Sequence, residues 1–257
     1  MQIKRHWISF TTIVIKEINR FTRIWLQTIV PPAVSMTLYF IIFGHLIGPR
    51  IGAMHGVGYI DFICPGIIMM SVINNSYSNV VSSFFSAKFQ RHVEEILVAP
   101  VSSFTILAGF VTGGAARGLA VGLVVTMIAL YFTDLHIASY FIVITVVFLT
   151  AVLFSIAGLL NAIFAKKFDD ISIVPTFILT PLIYLGGVFY SIELLPTFWQ
   201  KVSLFNPILY MVNAFRYGML GISDINIYYA FTIICVFIMV SAGYALYLLH
   251  KGTGIKN

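Results

Sequence analysis

The chain has 257 residues, of which 60% are hydrophobic and 9% charged, with a formal net charge of +6. Soluble domains carry about 25% charged residues, so a soluble globular fold is excluded. Uncharged runs long enough to cross a ~30 Å hydrocarbon core recur, and the short alternating segments of a β-barrel do not; the pattern predicts an all-α polytopic membrane protein.

Residues 1–23 predict an amphipathic helix. Trp7, Phe10, Val14, Ile18, Phe21 and Trp25 fall on one face, with Lys16, Arg20 and Arg23 on another. Basic residues opposite aromatics suit a helix lying in the headgroup plane, and a helix packed on the protein is the alternative. This mixture of charge and apolar residues does not read as a cleaved signal peptide.

Six spans are expected, at residues 24–47, 59–86, 104–132, 138–165, 171–190 and 225–249. Pro31 and Pro32 should kink the first, and Pro175 and Pro181 should bend the fifth. Pro49, Gly52, Gly56 and Gly58 mark an outer loop, and residues 134–136 an outer turn. Asp169 and Asp170 suit the positive N-terminal end of the fifth span. Residues 191–224 are apolar but broken by Pro196, Pro207, Gly218 and Gly221. They predict two short re-entrant helices, the second capped by Asn206 with Pro207 in its first turn. The sequence shows neither repeats nor low-complexity stretches and reads as one domain, residues 1–257.

Six spans put both termini on one side. The segments on that side hold eleven Lys and Arg residues against three opposite, Arg50, Lys201 and Arg216. Positive-inside bias then places both termini in the cytoplasm.

Residues 88–100 stand out. They carry Lys88, Arg91, His92, Glu94 and Glu95, between uncharged runs of 26 residues (62–87) and 21 residues (96–116). A helix over residues 86–98 would show an apolar face of Phe89, Val93, Ile96 and Leu97, with Arg91, Glu94 and Glu95 elsewhere and Pro100 as its stop. Such a helix fits a groove on a soluble subunit; a solvated loop that only fixes topology is the alternative.

Arg117 lies inside the third span, among Gly109, Gly113, Gly114, Gly118 and Gly122. A charge at that depth costs at least about 2.5–3.5 kcal/mol and should face protein, water or an anion. It either lines a path for an anionic substrate or bonds polar groups on a neighbouring helix. Asn74, Asn75, Ser76, Ser78 and Asn79 put polar groups in the second span, for interhelical hydrogen bonds or a polar lining. Cys64 and Cys235 read as buried thiols rather than a disulfide.

No phosphate-binding loop, nucleophile elbow or metal-site spacing is present. The chain is therefore not expected to be an enzyme, to bind a metal or to hold a cofactor. All nine acids are expected at span ends or outside the spans, which argues against ion coupling and for a partner ATPase. An ATP-independent channel or gradient-driven carrier remains the alternative.

Across nearly its whole length the chain resembles the ABC-2 family of bacterial export permeases. The resemblance rests on the amphipathic first helix, Pro65-Gly66, the Arg91, Glu94 and Glu95 cluster ending at Pro100, residues 185–190 with Gly186 and Gly187, then Pro196 with Trp199, and Asn206-Pro207 followed by Arg216. It implies a multi-pass exporter subunit of the bacterial inner membrane, paired with a second permease copy as a homodimer. Two copies of a separate ATPase would hold ATP and Mg. Phe89, Arg91, Glu94, Glu95, Leu97 and Pro100 would form the coupling helix. Gly186, Gly187, Pro196, Trp199, Asn206, Pro207 and Arg216 would belong to an outer gate. Membrane lipid is an expected partner and nucleic acid is not.

Overall fold

A computed structural model describes residues 2–90, 92, 101–133 and 137–254. Helix α1 (Gln2–Arg23) breaks at Ile24 into α2 (Trp25–Ile51). A tight hairpin, β1 (Ala53–Met54) and β2 (Val57–Gly58), leads into α3 (Tyr59–Phe89). Then follow α4 (Ser103–Phe132), α5 (Tyr140–Phe164) and α6 (Asp170–Leu185). After a short 3-10 turn, Ile192–Leu194, come α7 (Thr197–Ser203), α8 (Pro207–Leu220) and α9 (Ile227–Lys251).

Four of these helices are long and apolar enough to cross a membrane: α2, α4, α5 and α9. The other two expected spans differ, each for a physical reason. At 31 residues α3 is long enough, about 46 Å, but it carries a polar stretch. It tolerates that stretch because it is the central helix, packed mainly on α4 and α5 and also on α8. Along most of its length its side chains meet protein rather than lipid. Helix α6 is cut short at Leu185, because Gly186 closes it and Gly187 turns the chain with φ 71°. At about 24 Å it falls short of a full crossing.

Proline acts differently in the two helices where bends are expected. Pro31 and Pro32 sit inside helical α2, whose ladder loosens into a π-type stretch only at Phe40–Ile47. In α6 the π-type stretch, Pro175–Leu179, begins at the proline itself.

The α3–α4–α5 core depends on glycine. A Cβ on Gly114 would collide with Val80 of α3 and Ser155 of α5. One on Gly118 would meet Ser76, one on Gly122 would lie 2.6 Å from Val72 Cγ2, and one on Gly158 of α5 would press on the Tyr77 backbone. Small residues at four-residue spacing thus let α3 and α4 lie antiparallel in close contact.

Helix α1 packs on the protein instead of standing alone. It runs alongside the first half of α4, with Ile13 against Gly109 and Glu17 against Gly113. Its packing face is Ile13, Glu17 and Arg20; Trp7 and, just beyond it, Trp25 remain 65% and 58% exposed. Between them, Phe10, Val14, Ile18 and Phe21 are half-buried.

We predict that Gly114→Val destabilises the bundle by about 1–3 kcal/mol through overpacking. Thermal unfolding in detergent should show a lowered midpoint, and an unchanged midpoint would contradict this packing.

Candidate functional site

The expected coupling segment hangs between α3 and α4. Arg91, Glu94, Glu95, Leu97 and Pro100 lie outside the described residues, but both ends of the segment are defined. Lys88 is the last basic residue of α3, and its ammonium donates to the carbonyls of Ile163 (2.6 Å) and Ala165 (2.7 Å) at the C-terminus of α5. A cation on the negative end of a helix dipole satisfies carbonyls that have no helical partner. Phe89, 61% exposed, stands with its ring 5.0 Å from Phe168, which also meets Phe85 edge-on. Asp170 accepts from the backbone N–H groups of Lys166 and Lys167, which hold its carboxyl below the usual carboxylate range. It thus ties the loop before α6 rather than capping that helix. Ser102 caps α4 by accepting from Thr105 N–H. The helix ends that flank the segment are thus fixed, with the exposed rings of Phe89 and Phe168 beside the first.

At the opposite end of the bundle the organising residue is Arg216. It is wholly buried in α8. Its Nε donates to Phe62 O (3.2 Å), its Nη2 to Gly187 O (2.6 Å) and its Nη1 to Asn213 Oδ1 (3.5 Å), and the guanidinium lies 3.9 Å from the centre of the Phe62 ring. Asn213 Oδ1 also accepts from Asp224 N–H. Asp224 in turn accepts from Ile192 N–H (3.0 Å) and faces His55 Nε2 at 3.4 Å. One buried cation thus binds α3, the turn after α6, α8 and the stretch before α9, and through Asp224 it reaches the β-hairpin.

Among the expected gate residues, Gly187 and Arg216 are brought into contact. Asn206 performs its expected capping by accepting from Ile208 N–H, and it also donates to Leu182 O (2.6 Å), fastening α8 to α6. Pro207 occupies the first turn of α8, and Gly186 ends α6 against Ile208. Pro196 precedes α7, on which Trp199 is 45% exposed and meets Phe198 edge-on. These two are not part of the Arg216 network. Sequence reasoning placed Arg216 among outer basic residues and missed Phe62, Asn213, Asp224 and His55. The available signal was an Arg three residues after an Asn inside an otherwise apolar run.

A third polar cluster lies between α1, α3 and α4. Glu17 is fully buried, receives a 2.5 Å hydrogen bond from Ser83 Oγ and pairs with Arg20 at 3.5 Å. Arg20 donates to Asn79 O and Oδ1, both at 2.7 Å. An acid expected outside the spans is thus wholly enclosed by protein. Arg117 faces this cluster rather than the glycine seam with α3. Other polar residues of α3 behave more simply: Asn74 and Asn75 donate to Met70 O and Ser71 O of their own helix, so only part of the polar stretch bonds between helices. Cys64 and Cys235 are free thiols, the first buried and the second exposed.

Removing the Arg216 charge strands buried acceptors, each costing about 1–3 kcal/mol. Arg216→Met should therefore lose several kcal/mol and yield little monodisperse protein. Arg216→Lys, which cannot reach all three acceptors, should be intermediate. Size-exclusion profiles and thermal midpoints check this order; a wild-type midpoint for Arg216→Met would refute it.

Residues 8–220 match the ABC-2 type transporter family. The chain is 58% identical over 252 residues to the inner membrane transport permease YadH of Escherichia coli strain K12, covering 98% of both chains. The Shigella flexneri protein of the same name shows the same identity and coverage. Nodulation protein J of Rhizobium leguminosarum bv. viciae is 22% identical over 204 residues, 79% of each chain. Four apolar helices around a polar central one, and a match spanning most of the sequence, make this chain a member of the ABC-2 type transporter family, the membrane subunit of an ABC transporter.

Proposed function

We propose that this chain is the permease half of an ATP-driven exporter of the bacterial inner membrane. It moves an amphipathic or anionic cargo outward using ATP hydrolysed by a separate partner. Two copies of the chain pair, each engaging one ATPase subunit that carries the ATP and Mg. Both termini and residues 88–100 face the cytoplasm. The polypeptide makes six passes, counting α3 and also the short α6, whose crossing is completed by the turn that follows it, and residues 191–224 form the outer gate.

One observation carries this reading. Helices α3 and α4 are 31 and 30 residues long, about 45 Å each, against a ~30 Å hydrocarbon core. Together they can carry the link between them about 15 Å past the membrane, where a soluble subunit can grip it. Lys88 and the Phe85, Phe89 and Phe168 platform brace the base of that lever against α5 and the start of α6. Arg91, Glu94, Glu95, Leu97 and Pro100 then form the contact that transmits the stroke. The exposed apolar faces of α2, with Val34 and Leu38, and of α6, with Phe177, support a second permease copy as neighbour. Arg117, partly accessible beside α1, lies on the cargo's route.

The proposal is tested by replacing Glu94 and Glu95 together with Ala in a complex reconstituted with the candidate ABC ATPase. The variant should insert and fold normally, yet the permease-dependent part of the ATPase rate should fall about tenfold. Wild-type stimulation in the double variant would overturn the coupling role, and failure of the wild-type chain to co-purify with the ATPase would overturn the partnership.

A further inference from the structure

Charge and hydrogen-bond bookkeeping around Arg117 leave a specific gap. The wedge between α1, α3 and α4 holds two guanidinium groups, Arg20 and Arg117, and one carboxylate, Glu17. The register fixes their proximity. Ile13 sits on Gly109 and Glu17 on Gly113, so the next turn of α1, with Arg20, comes level with Arg117. Arg20 is spoken for by Asn79 and Ser82, and Glu17 by Ser83 and Arg20. Arg117 donates to none of the described residues, and its Nε is buried without a partner. Arg20 Nε and Glu17 Oε2 are buried with only each other nearby, at 3.5 Å. Two guanidinium charges thus share one carboxylate and one positive charge is left over, an arrangement that is costly near hydrocarbon unless an anion enters.

Depth narrows the anion's class. Asn79 lies 20 residues beyond Tyr59 along α3, about 30 Å of helix, one hydrocarbon thickness from that helix start. Arg117 lies 15 residues before Phe132 on α4, about 22 Å from that end. Measured from Phe132, Arg117 therefore sits about 8 Å inside the cytoplasmic boundary of a ~30 Å core, within reach of inner-leaflet headgroups. A planar guanidinium left without a partner matches an oxyanion with several acceptor oxygens.

We propose that Arg117 binds the phosphate of an anionic amphiphile's headgroup beside α1. The inference deepens the route role given to Arg117 and rests on that reading. Its test, however, measures binding to the permease alone, so it can fail or succeed independently of ATPase coupling.

The experiment is native mass spectrometry of the purified full-length chain in detergent, titrated with phosphatidylglycerol, with zwitterionic phosphatidylcholine, or with inorganic phosphate. Wild type should retain phosphatidylglycerol over phosphatidylcholine. Arg117→Met should weaken that retention about tenfold or more, the worth of one charge-assisted bond, and Arg117→Lys should restore part of it. Glu17→Gln, which removes the one negative charge, should strengthen retention; this supplies a second reading if Arg117→Met does not fold. Displacement of the lipid by millimolar inorganic phosphate would reassign the site to a soluble phosphate. Equal retention by wild type and Arg117→Met, or weaker retention in folded Glu17→Gln, would overturn the site.

Discussion

Everything in this bundle hangs on how closely backbone can approach α3. Gly114, Gly118 and Gly122 of α4 and Gly158 of α5 remove the side chains that would hold α3 off, and Gly66 of α3 lets the Val188 backbone lie against it. In lipid, helices gain little from burying apolar surface against one another, so contact density and interhelical bonds must supply the association. The glycine seams supply the first. They also shield the polar middle of α3 from hydrocarbon, which explains why a helix with several Asn and Ser residues is the most enclosed of the long helices.

Interhelical bonds supply the second, at the two ends of α3 and at Asn79, Ser82 and Ser83, which face α1. Near its start, Phe62 O receives Arg216; at its end, Lys88 donates into the C-terminus of α5. Both use a cation to satisfy carbonyls, but in different settings. Arg216 is enclosed and divides its donors among three elements, so its loss unravels a junction. Lys88 is only part-buried and neutralises a helix terminus, so it fixes direction more than it holds the fold.

Much of this was legible from the sequence, and the failures have physical causes. The runs at 24–47, 104–132, 138–165 and 225–249 anticipated α2, α4, α5 and α9 to within a few residues, because hydrocarbon thickness sets run length directly. The Asn206 and Pro207 cap was equally readable, since it depends on neighbours in sequence. Residues 171–190 were expected to cross fully, but Gly186 and Gly187 stop the helix at Leu185. The aromatic stripe of α1 suggested a helix in the headgroup plane, with packing on the protein as the alternative. The face that packs, Ile13, Glu17 and Arg20, has a similar helical spacing and meets the small-residue stripe Gly109 and Gly113; it was masked because it contains charges. The Arg216 site was only half visible: its position in an apolar run marks it, but Gly187, Phe62 and Asp224 join it by tertiary folding that no periodicity encodes. The hairpin turn at His55, with φ 50°, followed by Gly56 at 82°, was likewise unmarked beyond its glycines.

The two ends of α3 are joined by one helix without a break from Tyr59 to Phe89. That continuity has a mechanical consequence. A displacement at the cytoplasmic link need not pass through loops to reach the Phe62, Gly187 and Arg216 junction; it can travel along one hydrogen-bonded rod clamped between α4 and α5. The rod has one built-in weakness, Pro65, which removes a rung of the ladder within a turn of Phe62. Bending is therefore cheapest immediately beside the junction and most expensive along the glycine-packed middle. A lever gripped at residues 88–100 would deliver its motion to the Arg216 end of the molecule, where hydrogen bonds to Gly187 O and Phe62 O hold the turn after α6 to the start of α3.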